Sequence, residues 1–263
     1  NVVILRYNTG GSVVKSRSAC FSCAKVLPWY EMFPILSFVA LRGICSNCKS
    51  KISWQYPLVE FFTGVFFLLV FLKVFDYRLD FNEFLIGGFL PVFYYWIILS
   101  SLIIIFVYDY RHKIIPDLPL WIFNGFAFLS LFDFKLSTPN FLVVGKFISI
   151  DWSGLLAGFA LSSFFAFFWF VSRGRWMGFG DAKLALGIGW FLGLVSGVSA
   201  VILSFWIGAA VSLSLLFAQK LNLSAKNLTI KSEIPFAPFL ILGLLAVFFF
   251  GFDVIGLTNL LSQ

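Results

Sequence analysis

Charge is what this chain has least of. Only 12% of its 263 residues are Asp, Glu, Lys or Arg, and there is a single histidine. A soluble surface of this size cannot be built from so few charges. Cysteine is scarce too: all four lie in two pairs near the N-terminus, and none occurs in the long apolar remainder. The one histidine, His112, reads as a loop residue rather than a general base. What fills the chain instead is hydrocarbon. Sixty per cent of residues are hydrophobic, 37 are Phe and 9 are Trp, and mean hydropathy is +0.97. That composition describes an all-α polytopic membrane protein.

A bilayer core about 30 Å thick takes roughly 20 apolar residues per helix. Seven spans are expected, near 57–75, 89–108, 117–132, 152–171, 183–195, 198–218 and 235–252, the third and fifth being short. The opening residues NVVILRYN read as the last turns of a preceding span. Basic residues alternate between loops. Fifteen of the nineteen Lys and Arg fall on one side, seven of them in 1–56, and the other side holds Lys73, Arg78, Lys135 and Lys146 among six acids. The basic side is expected to be cytoplasmic. The net charge of +7 is thereby a topology signal, and no nucleic-acid partner is expected.

Residues 19–23 read ACFSC and 44–48 read ICSNC, giving C-x2-C, 21 intervening residues, and C-x2-C. Two such knuckles offer Cys20, Cys23, Cys45 and Cys48 to one tetrahedral Zn²⁺, and four thiolates close its coordination sphere. The role is therefore structural. The cytoplasmic side disfavours the alternative of two disulfides. Lys25, Arg42, Lys49 and Lys51 would help hold the thiolates ionised. The surrounding segment has little apolar content, so the metal would carry much of its stability. Residues 1–56 are read as this zinc-ribbon-like domain and 57–263 as the transmembrane domain.

Two acids stand out against the apolar background. Asp109 ends the run SSLIIIFVYD, and Asp181 sits in MGFGDAKL at the head of the fifth span. The alternating topology puts both at similar depth on the basic side. Two adjacent aspartates cannot easily both ionise, so one keeps a proton and acts as acid while the other takes a proton from water. Gly178 and Gly180 would clear room for a peptide beside Asp181. The plainer reading makes each acid a helix cap: Asp181 for a helix starting at Ala182, and Asp117, after Pro116, for the next span. The cap is the preferred reading for Asp117. Membrane acids also serve proton and ion pathways, which leaves a transporter or assembly factor as a non-enzymatic alternative.

The two knuckles, CKSKISWQYPLVEFFTG, Asp109 followed by IIPD, GFGDAK and EIPFAPFL occur in this order. Together they resemble the type IV prepilin leader peptidases, membrane aspartyl peptidases of the GxGD class. The resemblance implies a bacterial inner-membrane enzyme of eight spans, one more than this chain shows. Asp109 and Asp181 would be its catalytic pair. Its substrates would be prepilins or pseudopilins of type IV pilus or type II secretion systems, cut at the cytoplasmic face. It also implies N-methylation of the new terminus with S-adenosylmethionine, although no glycine-rich motif for that cofactor is visible. YD and GxGD also suit presenilin-like proteases, but the Pro-Ala-Leu motif of that group is missing.

Overall fold

The computed structural model describes residues 18–20, 22–74, 89–132, 151–220 and 235–254. The opening NVVILRYN, the loop 133–150 and the start of EIPFAPFL lie outside the described residues.

The knuckle segment has little regular structure. A 3₁₀ turn, Trp29–Met32, and a short helix α1, Leu36–Ala40, connect the two cysteine pairs. Its only buried hydrophobic residue among those described is Cys45, in keeping with the expected lack of a core. Long apolar helices follow: α2, Gln55–Val74; α3, Leu90–His112; α4, Asp117–Leu129; α5, Trp152–Ser172; α6, Phe179–Lys220; and α7, Ala237–Phe250. Helices α2, α3, α5 and α6 are long and apolar enough to cross a membrane, and α4 and α7 are shorter apolar helices. The fold is that of a multi-pass membrane protein, as composition required.

Helix α6 answers the expectation of two spans in 183–218. Gly193 interrupts it at φ 76, ψ −174, a conformation open to glycine and strained for any side chain. The chain then doubles back, since a Cβ on Gly197 would lie only 3.6 Å from the Cα of Gly189. The first arm begins at Phe179 rather than near 183. GFGD looks like loop by composition, yet only Gly178 stays outside the helix, and Gly180 winds into its first turn.

Small residues let the helices approach. A Cβ on Gly189 would stand 2.5 Å from the Cα of Gly158 in α5, and one on Gly243 of α7 would stand 2.2 Å from the carbonyl oxygen of Ala200. Such contacts replace the hydrophobic drive that lipid cannot supply between helices. Polar tips tie the bundle further. The Tyr94 hydroxyl donates to the Phe126 carbonyl at 2.7 Å, and the Trp96 indole N–H to the Phe67 carbonyl at 3.1 Å. At the end of α2, Lys73 donates to the Phe248 carbonyl in the last turn of α7, where helix carbonyls lack partners.

Candidate active site and metal centre

Asp109 occupies the last turn of α3. The helix ends at Lys113, whose left-handed backbone (φ 56) turns its N–H to the Asp109 carbonyl at 2.7 Å. Four residues later α4 begins. This tight link carries Ile115, and Ile115 packs on Gly180: a Cβ at Gly180 would meet its side chain at 3.0 Å. The close approach at Gly180 thus serves the chain's own link between α3 and α4, not the peptide clearance expected for it. Gly178 keeps the position beside the acid, where an added Cβ would lie 3.8 Å from Asp181 Oδ2.

The link draws the end of α3 against the start of α6. Asp109 and Asp181 are both buried, at 4% and 7% exposure, and near enough for the charge of Asp109 to act on Asp181. Each carboxylate also has a backbone N–H within reach, from Ala237 at the start of α7 for Asp109 and from Gly178 for Asp181. The two acids singled out by sequence therefore share one buried place at one end of the bundle. That end is the one bearing the knuckles, because Tyr56 at the start of α2 feels the charge of Arg111 at the end of α3.

Neither cap reading holds. Asp181 lies inside the first turn of α6, past the start at Phe179. Asp117 is the first residue of α4 and makes no side-chain cap bond, since Pro116 holds the cap position. Its carboxylate instead accepts from Lys183 Nζ at 2.9 Å. Lys183 lies two residues beyond Asp181, and this pair joins α4 to α6. The carbonyl of Lys183 also receives the Asn124 amide of α4 at 3.1 Å. His112 closes α3 rather than lying in a loop; it is exposed and its ring lies 4.5 Å from that of Tyr108.

The cysteines form a second constellation. Their four Sγ atoms lie within 4.8 Å of one another, and Cys20 and Cys48 are 3.8 Å apart. Zinc–sulfur bonds of about 2.3 Å place tetrahedral thiolates about 3.8 Å apart, so the donor set fits that ion. The two knuckles share one backbone design. Ala24 (φ 56) and Lys49 (φ 58) each turn left-handed just after the second cysteine. Their N–H groups return to the carbonyls of Cys20 and Cys45, and bridges Ala19–Val26 and Ile44–Lys51 close the loops.

Those loops aim donors at sulfur. The Ser22 N–H, then the Cys23 N–H and the Ser50 hydroxyl, lower the Cys20 thiol to about 6. The Ser50 hydroxyl and N–H also lower Cys48. Cys45 is pulled down by the N–H groups of Cys48 and Asn47, yet ends above the usual range because burial and its bonds to Cys20 and Cys48 outweigh them. The charge of Lys25 reaches the Cys45 thiolate, as expected, but its direct bonds go elsewhere. It bridges Glu31 Oε1 at 3.2 Å and Ser46 Oγ at 2.7 Å, pinning the 3₁₀ turn to the second knuckle. The Glu31 side chain is nearly buried by this clamp.

Glu60 was also passed over. It accepts the Ile35 N–H at 3.0 Å and so fastens the knuckle segment to α2. A lone acid in the second turn of an apolar helix was the available signal.

Comparison with known proteins covers both constellations. The family model for the bacterial Peptidase A24 N-terminal domain matches residues 1–74, and that for the Type IV leader peptidase family matches 96–213, which takes in both aspartates. The prepilin leader peptidase/N-methyltransferase of Bacillus subtilis (strain 168) is 29% identical over 245 residues, covering 93% of this chain and 86% of the relative. The protein of that name from Legionella pneumophila is 30% identical over 244 residues, 91% of this chain and 74% of its own length. That from Myxococcus xanthus is 51% identical over 67 residues, 26% of this chain and 20% of the relative. No solved structure matches. With so much of the Legionella protein aligned at this identity, and both family models on the segments that carry the cysteines and the aspartates, the chain belongs to the type IV leader peptidase family.

Proposed function

We propose that the chain is a prepilin leader peptidase of the bacterial inner membrane, with Asp109 and Asp181 as its catalytic aspartates. The observation that carries this reading is the meeting of two buried carboxylates from α3 and α6 at the knuckle-bearing end of the bundle. In the proposed reaction one aspartate carries a proton and the other does not. The ionised carboxylate takes a proton from water, and the resulting hydroxide equivalent attacks the scissile carbonyl. The protonated partner donates to the carbonyl oxygen. As the tetrahedral intermediate collapses, the aspartate that took the water proton passes it to the leaving amine of the mature pilin, and its partner recovers its own proton from the intermediate's hydroxyl. The pair titrates as a unit and is not divided into separate acid and base constants. The backbone N–H groups of Ala237 and Gly178 would orient the carboxylates for this exchange.

A transporter needs titratable groups near mid-span. The two buried acids sit in end turns instead, at a depth suited to a leader peptide entering from the water. In this reading residues 1–56 form a zinc-binding domain and 57–263 the peptidase. Cys20, Cys23, Cys45 and Cys48 would hold Zn²⁺, which braces the knuckles and takes no part in the chemistry. Methylation of the new terminus is supported by the word N-methyltransferase in the relatives' name, and S-adenosylmethionine is the donor proposed for it. The test is cleavage of a purified prepilin by the full-length enzyme in liposomes, with mass spectrometry of the product. A leader released in one cut supports the peptidase, and an added methyl mass that requires S-adenosylmethionine supports the second activity. Intact prepilin from several sources would overturn the reading.

A further inference from the structure

The segment between the knuckles exposes apolar side chains that no described residue covers. Trp29 is 70% exposed, Leu36 71% and Val39 65%, and Tyr30 and Phe33 are exposed as well. The rings of Tyr30 and Phe33 stand edge-on to Trp29 at 5.9 and 5.8 Å, so the three make one ledge. A contiguous apolar patch outside the spanning helices marks a surface made for a partner.

The height of this ledge is fixed. Ile35 stands between Phe33 and Leu36 at φ 58, and its N–H is bound to Glu60 Oε2 at 3.0 Å. Glu60 lies five residues after Gln55, where α2 begins, or about 8 Å along a helix axis. Since α2 is long and apolar enough to span, the insert is held level with the first turns of a membrane helix. This is the headgroup depth at which Trp and Tyr collect, and interfacial elements sink about 5–10 Å there. Exposed Leu58 and Phe61 of α2 continue the apolar surface at the same level. Exposed Arg42, Lys49 and Lys51 follow the insert in sequence, supplying the cations that anionic headgroups attract.

We propose that residues 29–39 are an interfacial foot, seated in the anionic leaflet on the side of Asp109 and Asp181, which sets the height of the metal-binding knuckles above the bilayer. The proposal rests on the membrane placement of α2 and not on the catalytic roles of the aspartates.

An environment-sensitive fluorescent residue at position 36 of the full chain tests it, in vesicles of phosphatidylethanolamine and phosphatidylglycerol without prepilin. Lipids brominated near the top of the acyl chain should quench the label strongly, and aqueous iodide should reach it several-fold less than free dye. Adding Trp29→Ser and Val39→Ser should restore iodide access while the metal content stays unchanged, which separates loss of the foot from loss of the fold. A label open to iodide and untouched by brominated lipid would overturn the proposal. So would shielding that arises only when prepilin is added, because the ledge would then belong to the substrate.

Discussion

At the scale of single residues, Asp109→Asn and Asp181→Asn should each lower leader cleavage by roughly 10²–10⁴-fold, the range of general acid–base contributions. Either amide keeps the shape of the side chain, so metal content and thermal unfolding should stay near wild type. Asp117→Asn is the matched control. It breaks an ion pair with Lys183 in which Asp117 is largely exposed, and such pairs are worth about 0–1 kcal/mol; a variant as inactive as the other two would mean that the dyad is misassigned. The cysteines carry a pH prediction. A thiol lowered to about 6 is thiolate above that value and regains its proton as pH falls through it. Each thiol that must lose a proton makes metal binding pH-dependent, so affinity should fall more steeply with falling pH below about 6, where Cys20 also regains its proton, than above it, as metal titrations at several pH values would reveal. An unchanged slope across that value would contradict it. Asp109, Asp181 and the four cysteines were legible because each is chemically out of place in its surroundings. The role of Asp117 was not, because capping needs the residue just before the helix, and only the backbone shows that Pro116 takes that place.

At the scale of the helix, composition finds the apolar runs but not their contacts. Spans expected at 57–75, 89–108 and 152–171 became α2, α3 and α5 with ends shifted by a few residues. Where two helices touch depends on which glycine faces a neighbour, and sequence does not mark that. Gly189→Ala should destabilise the bundle by about 1–3 kcal/mol, the usual range for overpacking, because its Cβ would press on the backbone of Gly158. Gly64→Ala, with nothing within 4 Å of the added Cβ, should leave thermal unfolding in detergent unchanged or slightly raised. Equal effects would remove the close crossing of α5 and α6 as an account of the fold. The start of α5 offers a separate check. Asp151 Oδ1 accepts from the Ser153 N–H at 3.0 Å, and Asp151→Ala should cost about 1 kcal/mol as a lost N-cap.

At the scale of the whole molecule, two kinds of stability coexist. The bundle is held by buried apolar side chains and close helix contacts, such as Ile105, Phe123 and Ile188 at its centre. The knuckle segment buries almost nothing and is held by four sulfurs, the Lys25–Glu31 clamp and two backbone loops. A metal that binds only the folded knuckles adds its binding energy to that part alone. Chelation of the full-length protein in detergent should therefore unfold the knuckles and spare the bundle. Hydrogen exchange resolves the two. The amides of Cys20, Ala24, Cys45 and Lys49, bonded within the loops, should lose protection when the metal is removed, and those in the middle of α3 and α6 should keep it. Cys45→Ser should have the same effect as chelation, since it removes the most buried ligand. If the bundle amides opened in step with the knuckles, the Ile35–Glu60 bond and its neighbours would couple the two parts into one cooperative unit. The metal would then stabilise the aspartate site as well as the segment that binds it.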